Sequence, residues 1–556
     1  PENRIQMRSV IQFLLYNSRG FKGRIGIILL IGMAEAAFSL LFVWFSKTII
    51  DIATGERVGD LLPYSFLLVL LVILQILFRA CDIRMRRMTE VRLANSVRYR
   101  TFSRLLYTRW QDLSTLHSGD VLTRMIKDTD DLVNLLVTSF PLVFVAVAQF
   151  SGALVILYLL DPWLALTLGV GMPLLALLGK FYYRHMRKYT KEVKEHESTI
   201  TSMLEESLQN QVVIRTFERQ ENELSRLERI QTKLHQSIEN RTRVSIFANT
   251  VMGISFNGGY ITAFLWSVYG LARRSVGFGT VTAFLQLVNR IQRPLFDLIR
   301  LLPSFISART AIDRLIYLTG FSLEDARDGI LLEGDVTLRI DRVTFAYSPT
   351  SEPVLSDFSM EVKPGTMVAV SGETGVGKTT LLRLLLGLVT PTSGSMILTG
   401  PLQSVAISER TRSNFVYVPQ GGSLFSGTIR ENLLLGDAQA TEAALTRVLQ
   451  IASANFVFTL PDGLDTRLGE GGAGLSEGQA QRIAIARALL RPGKIILFDE
   501  ATSALDPETG RNLLQNLKKE LGNRSVIFIT HQPEVASFCD LQYRIQTISD
   551  PGPFSA

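Results

Sequence analysis

The chain has 556 residues, 47% of them hydrophobic and 20% charged, with a mean hydropathy of +0.22, a balance that excludes a disordered chain and an ordinary soluble globular domain. Lys and Arg number 58 against 51 Asp and Glu, and the resulting +7 suits an anionic membrane surface, nucleic acid or the inner loops of a membrane protein. Two cysteines, Cys81 and Cys539, supply neither a disulfide framework nor a thiolate metal site.

The amino terminus mixes polar and apolar residues and lacks the short apolar core of a secretory signal. Residues 3–18 read equally as an amphipathic helix on a membrane surface or as a short soluble helix. Long apolar runs then occupy 23–50, 61–80, 135–160, 162–183, 245–271 and 278–304. Each reaches or approaches the ~20 residues that a helix needs to cross a ~30 Å hydrocarbon core. Stretches such as 66–74 are apolar all round, whereas helices of a soluble bundle keep a polar face.

Six spans put both chain ends on one side. Ten Lys and Arg fall in 80–131 and twelve in 183–244, against three (Arg57, Arg273 and Arg274) in the opposite loops. The long basic loops are therefore predicted to be cytoplasmic. Their helical spacing, as in Glu197, Leu204, Leu208 and Val212, predicts membrane helices that continue beyond the bilayer. Ionisable residues inside spans are candidates for contact with a transported substrate: Glu35 in span one, and Arg290, Arg293, Asp297 and Arg300 at helical spacing in span six. The span-six stripe has two readings, a site for an anionic group or an interhelical ion-pair network.

The character changes near residue 320. The segment 321–332 reads as a linker between a transmembrane domain, 1–320, and a second domain, 333–556. In the latter, short β-rich runs at 336–340, 367–371, 415–418, 495–498 and 526–529 alternate with helical stretches, predicting an α/β domain with a largely parallel sheet. The whole is a multi-domain membrane protein, an all-α six-span domain followed by an α/β domain.

Residues 372–379, GETGVGKT, match the phosphate-binding P-loop, with a strand before and a helix after. Gly372, Gly375 and Gly377 let backbone N–H groups, with those of Thr374, Val376 and Thr380 around them, curl about phosphates. Lys378 reaches the terminal phosphates, and the Thr379 hydroxyl can hold Mg2+. The run 495–500, IILFDE, is a buried strand ending in two carboxylates. Asp499 can reach Mg2+ through water, and Glu500 can orient the water that attacks the γ-phosphate. Between these motifs lies LSEGQ at 475–479, where Ser476 and free N–H groups at a helix start form an anion site.

This ordered set resembles the nucleotide-binding domain of the ATP-binding cassette (ABC) family, whose signature is LSxGQ. With six spans ahead of one cassette, the whole chain resembles an ABC half-exporter. The resemblance implies that Tyr347 stacks on adenine and that Gln420 is the Q-loop residue, touching Mg2+. It makes Asp506 the D-loop residue and His531 the switch histidine at the γ-phosphate. It further implies that two cassettes sandwich two ATP molecules, so that Ser476, Gly478 and Gln479 serve the ATP held by a partner's Lys378. A homodimer is the simpler expectation and a heterodimer the alternative. Three positions depart from the family pattern: Glu477 where Gly is usual, Ala480 where a basic residue is common, and Gln532 where Arg is frequent.

The expected activity is ATP hydrolysis driving export of a hydrophobic or amphipathic compound, with ATP and Mg2+ as cofactors, membrane lipids as surroundings and no nucleic-acid partner. An exporter-fold importer and an ATP-gated channel or regulator are the alternatives. The expected location is a bacterial inner membrane, with both termini and the ATPase domain in the cytoplasm.

Overall fold

The computed structural model describes residue 10 and residues 12–545, apart from 115, 117, 178, 326–328, 349, 374, 422 and 521. The chain forms two compact units, one of Pro1–Ser103 and Ser118–Gly320, the other of Arg104–His117 and Phe321–Ala556. A segment that lies between two apolar runs in the sequence thus folds with the α/β unit.

The first unit is helical: α1 (Lys22–Ala53), α2 (Leu61–Leu106), α3 (Gly119–Leu160), α4 (Pro162–Leu177), α5 (Gly179–Gln209), α6 (Gln220–Ala272) and α7 (Phe278–Thr319). These helices carry the six apolar runs, and among the described residues α1, α2 and α3 are long and apolar enough to cross a membrane. At about 1.5 Å per residue, α2 and α6 are roughly two to three times as long as the ~30 Å of a hydrocarbon core. The helices therefore extend past any bilayer they cross, as the spacing in the basic loops predicts. Val43, Ala153, Leu157, Leu164, Ala263 and Phe284 form a shared apolar core. Helices without side-chain bulk approach closely: a Cβ on Gly32 would stand 2.6 Å from Val145, and one on Gly152 2.5 Å from Leu40. The turn into α4 is set by Asp161, whose Oδ1 accepts from the N–H groups of Trp163 and Leu164, both at 3.0 Å.

The second unit has an antiparallel sheet and a parallel one. The first orders β2 (Leu355–Val362), β1 (Thr337–Phe345), β4 (Ser393–Thr399) and β5 (Ser404–Ala406). The parallel sheet runs β11 (Leu541–Arg544), β3 (Met367–Ser371), β10 (Ser525–Ile529), β9 (Ile495–Asp499) and β6 (Phe415–Val418). A small ribbon pairs β7 (Gly427–Thr428) with β8 (Arg467–Leu468). Every residue of β9 and β10 is buried, which explains their unbroken apolar sequence, and Phe498 stacks on Phe528 at 4.9 Å between ring centroids. In register, Ile529 faces Asp499 on one side and Val370 on the other. The parallel strands β3, β9 and β10 therefore end together, where ligands of open α/β sheets bind.

The described part of the 321–332 segment is tied down. The buried Asn414 side chain accepts from the Leu332 N–H at 2.8 Å and donates to the Ile330 carbonyl at 2.6 Å. Asn414→Ala should lower the stability of this unit by about 1–3 kcal/mol, because it strands a buried N–H group. Chemical denaturation of the detergent-solubilised protein checks this.

Candidate functional site

The P-loop leaves β3 and enters α8 (Lys378–Leu385). Gly375 and Gly377 have φ of +89° and +106°, the left-handed region that L side chains avoid, and a Cβ on Gly377 would stand 2.8 Å from the Val354 carbonyl oxygen. Lys378 is buried, and its ammonium donates to the carbonyls of Gly372 and Glu373 at 2.7 and 3.4 Å. A buried cation whose nearest acceptors are its own loop's carbonyls is suited to an arriving phosphate. Val376 and Thr380 are buried and Thr379 is exposed, while Thr374 lies outside the described residues.

β9 delivers two carboxylates to the same edge. Asp499 is buried and accepts from the Tyr417 hydroxyl at 3.1 Å. Burial pushes its carboxyl above the usual aspartate range, and the Tyr417 hydrogen bond pulls it part of the way back. Glu500 follows with φ +47°, a conformation that costs energy in any residue but glycine. Its N–H donates to the Ile529 carbonyl at 3.0 Å. The turn presents the carboxylate to three groups: Gln420 Nε2 donates to Oε2 at 3.0 Å, His531 Nδ1 lies 3.3 Å from Oε1, and Lys378 Nζ lies 3.9 Å from it. A carboxylate held in this way is oriented for general-base work.

Tyr347 is bonded instead to the P-loop helix α8. Its hydroxyl shares a hydrogen bond with Thr380 Oγ1 at 3.1 Å and accepts from Arg383 Nη1 at 2.6 Å, and its ring is 39% exposed.

The signature forms a second cluster. Ser476 caps α9 (Glu477–Leu489): its N–H donates to Gln479 Oε1 at 3.0 Å, and the Gln479 N–H returns to Ser476 Oγ at 3.3 Å. The glycine at 478 is required by contact, since a Cβ there would stand 2.7 Å from the Ala504 carbonyl oxygen. Asp506 accepts from the Thr509 N–H at 2.9 Å at the start of α10 (Pro507–Glu520), and this bond holds its carboxyl below the usual range. Gln532 has a local role, because its Oε1 accepts from Thr502 Oγ1 at 3.0 Å. The small Ala480 side chain sits beside Gly472. Nothing in the structure explains Glu477, which is exposed. Among the described residues, no hydrogen bond or ion pair links Ser476 or Gln479 to Lys378 or Glu500.

Sequence reasoning missed Tyr417, Arg383 and Thr502. Each acts through a contact between elements far apart in the chain, which no local spacing encodes.

In the first unit, Glu35, Arg290 and Asp297 are half-buried, and Arg293 and Arg300 are exposed. Among the described residues no ion pair within the chain joins any of the five.

Two family models match the chain: the ABC transporter transmembrane region over residues 25–295 and the ABC transporter domain over 355–503. An export ATP-binding/permease protein of Rickettsia typhi is 27% identical over 91% of this chain and 89% of its own. A multidrug resistance ABC transporter ATP-binding and permease protein of Lactococcus lactis is 27% identical over 81% and 77%. The ATP-dependent lipid A-core flippase of Chromobacterium violaceum is 29% identical over 79% and 76%. The solved structure of a bacterial Atm1-family ABC exporter with ATP bound superposes with a TM-score of 0.79, at 23% identity, over 95% of this chain and 94% of that one. The chain belongs to the ABC transporters, as a half-transporter of the exporter type with its membrane region and ATPase domain in one polypeptide. It binds ATP and is an integral membrane transporter that couples ATP hydrolysis to export.

Gly478→Ala should push the signature away from Ala504 and cut steady-state ATP hydrolysis by about 100-fold, the typical cost of a displacement near 1 Å. Equilibrium ATP binding should persist, and filter binding beside a phosphate-release assay separates the two.

Proposed function

We propose that two copies of this chain form a homodimer enclosing two ATP molecules. Each P-loop then faces Ser476, Gly478 and Gln479 of the partner subunit, and Glu500 is the general base that orients the attacking water. The observation that carries this reading is the convergence of Gln420, His531 and Lys378 on the one carboxylate of Glu500. In this reading Lys378 pairs with the terminal phosphates, the N–H groups of 372–380 cradle them, Tyr347 stacks on adenine and His531 contacts the γ-phosphate. Asp506 fixes the loop beside the signature.

Oxygen donors at Thr379, Gln420 and Asp499 fit Mg2+, which prefers hard oxygen ligands and shares them with phosphates. Bound there, Mg2+ would neutralise charge on the phosphates during transfer. ATP shifts the dimer by binding its closed form better than its open one, and this preference drives a central cavity between inward- and outward-facing states.

The substrate we propose is an amphipathic compound with an anionic group. Arg290 and Arg293 support this, being neighbouring cations on α7 with no ion-pair partner in their own chain among the described residues; Glu35 and Asp297 would complete the lining. The multidrug and lipid A-core names of two relatives fit an amphipathic cargo. A bacterial inner membrane with the ATPase domain in the cytoplasm fits the bacterial relatives and the concentration of Lys and Arg in two loops.

In lipid bilayers Glu500→Gln should reduce turnover by about 100- to 10,000-fold, the range for loss of a general base, while ATP still binds. A wild-type protein that hydrolysed no ATP by itself would contradict the homodimer. Arg290→Gln/Arg293→Gln should lower the ratio of stimulated to basal hydrolysis for anionic amphiphiles and leave the ratio for cationic ones intact, as read in the same assay.

A further inference from the structure

The α/β unit includes chain from between two membrane helices. Residues Arg104–His117, which join α2 to α3, fold with it. The Arg109 N–H donates to the Ser322 carbonyl at 3.0 Å, and the Glu324 N–H to the Tyr107 carbonyl at 2.7 Å. Glu324 in turn accepts from both terminal nitrogens of Arg412, at 2.9 and 3.2 Å, and Arg412 Nε donates to the Leu386 carbonyl just beyond α8. The segment is therefore held against the far end of the P-loop helix.

Its short helix, Trp110–Leu113, makes a more specific contact. The Arg383 guanidinium lies 4.6 Å from the centroid of the Trp110 ring, and Arg383 Nη1 donates to the Tyr347 hydroxyl at 2.6 Å. Thr380 Oγ1 meets that hydroxyl at 3.1 Å. One guanidinium thus sits over an indole and donates a hydrogen bond to a phenol, a combination that a lysine ammonium does not reproduce. Tyr347 itself is 39% exposed, with the Phe345 ring edge-on to it at 4.9 Å between centroids.

We propose that Trp110 and Arg383 are positioning residues for nucleotide recognition: they hold the Tyr347 ring, so that the connection between α2 and α3 sets the affinity for ATP. This rests on the reading of Tyr347 as the adenine-stacking residue. By linkage, a base that fixes Tyr347 also fixes Arg383 and Trp110, and the preference works equally in the other direction.

The test is steady-state ATPase kinetics of the full-length protein in lipid bilayers, with melting temperature followed in parallel. Trp110→Ala and Arg383→Gln should each raise KM for ATP about three- to tenfold, as expected for loss of a cation–π contact, with kcat changed less than about twofold. Trp110→Phe, which keeps a ring face, should return KM to within about twofold of wild type, whereas Arg383→Lys should behave like Arg383→Gln. The Trp110→Ala/Arg383→Gln double variant should be no worse than the larger single effect, because both act on one contact chain. Tyr347→Ala serves as the reference. If it raises KM while Trp110→Ala does not, the positioning role is overturned and base stacking stands. If Tyr347→Ala leaves KM unchanged, base stacking fails and the positioning role falls with it. Loss of kcat in Trp110→Ala with a lowered melting temperature and no rescue by Trp110→Phe would also overturn the proposal, in favour of a structural role.

Discussion

The buried ammonium of Lys378 is the constraint around which the α/β unit is arranged. Burying a cation is expensive unless it is paired. Here carbonyls of its own loop and the Glu500 carboxylate at 3.9 Å offset that cost without satisfying it as a phosphate would. The parallel register of β3, β9 and β10 brings the P-loop, the Asp499–Glu500 pair and His531 to one edge of the sheet. The backbone at Glu500 is held in a costly conformation there, and strain of this kind concentrates at functional sites. The meeting of these groups is thus a property of how the strands end more than of any single side chain.

Much of this was legible in the sequence. The P-loop could be read because glycine spacing, strand and helix are all local requirements, and β9 and β10 because strands buried on both faces are continuously apolar. What escaped depends on distance along the chain. Tyr417 reaches Asp499, Arg383 reaches Tyr347 and Gln532 reaches Thr502 across 82, 36 and 30 positions. Gln532 stands out in the sequence as a departure from the family pattern, yet only its contact with Thr502 gives it a role. The membrane region shows the same division. Its apolar runs announce helices, but the placement of 104–117 with the other unit follows from backbone pairing with Ser322 and Glu324 that the sequence does not display.

That placement gives the helical unit a continuous covalent route into the nucleotide-binding unit. α2 runs without interruption from Leu61 to Leu106, so its last turn already belongs to the segment that packs near α8. A helix of this length transmits displacement along its axis because each backbone group is bonded within it. Within the helical unit, Gly32 and Gly152 let neighbouring helices approach so closely that an added Cβ would overlap Val145 and Leu40.

The central claim is that each chain holds half of an ATP site, and nucleotide retention by mixed dimers tests it most directly. Lys378→Ala chains and Ser476→Ala chains would each be assembled alone and then together in lipid bilayers, and tightly held ATP counted per dimer. Neither homodimer should retain ATP, whereas mixed dimers should retain one, because one Lys378 still meets one intact signature. Retention by Ser476→Ala homodimers at the wild-type level would contradict the account, since it would mean that each chain builds its site alone.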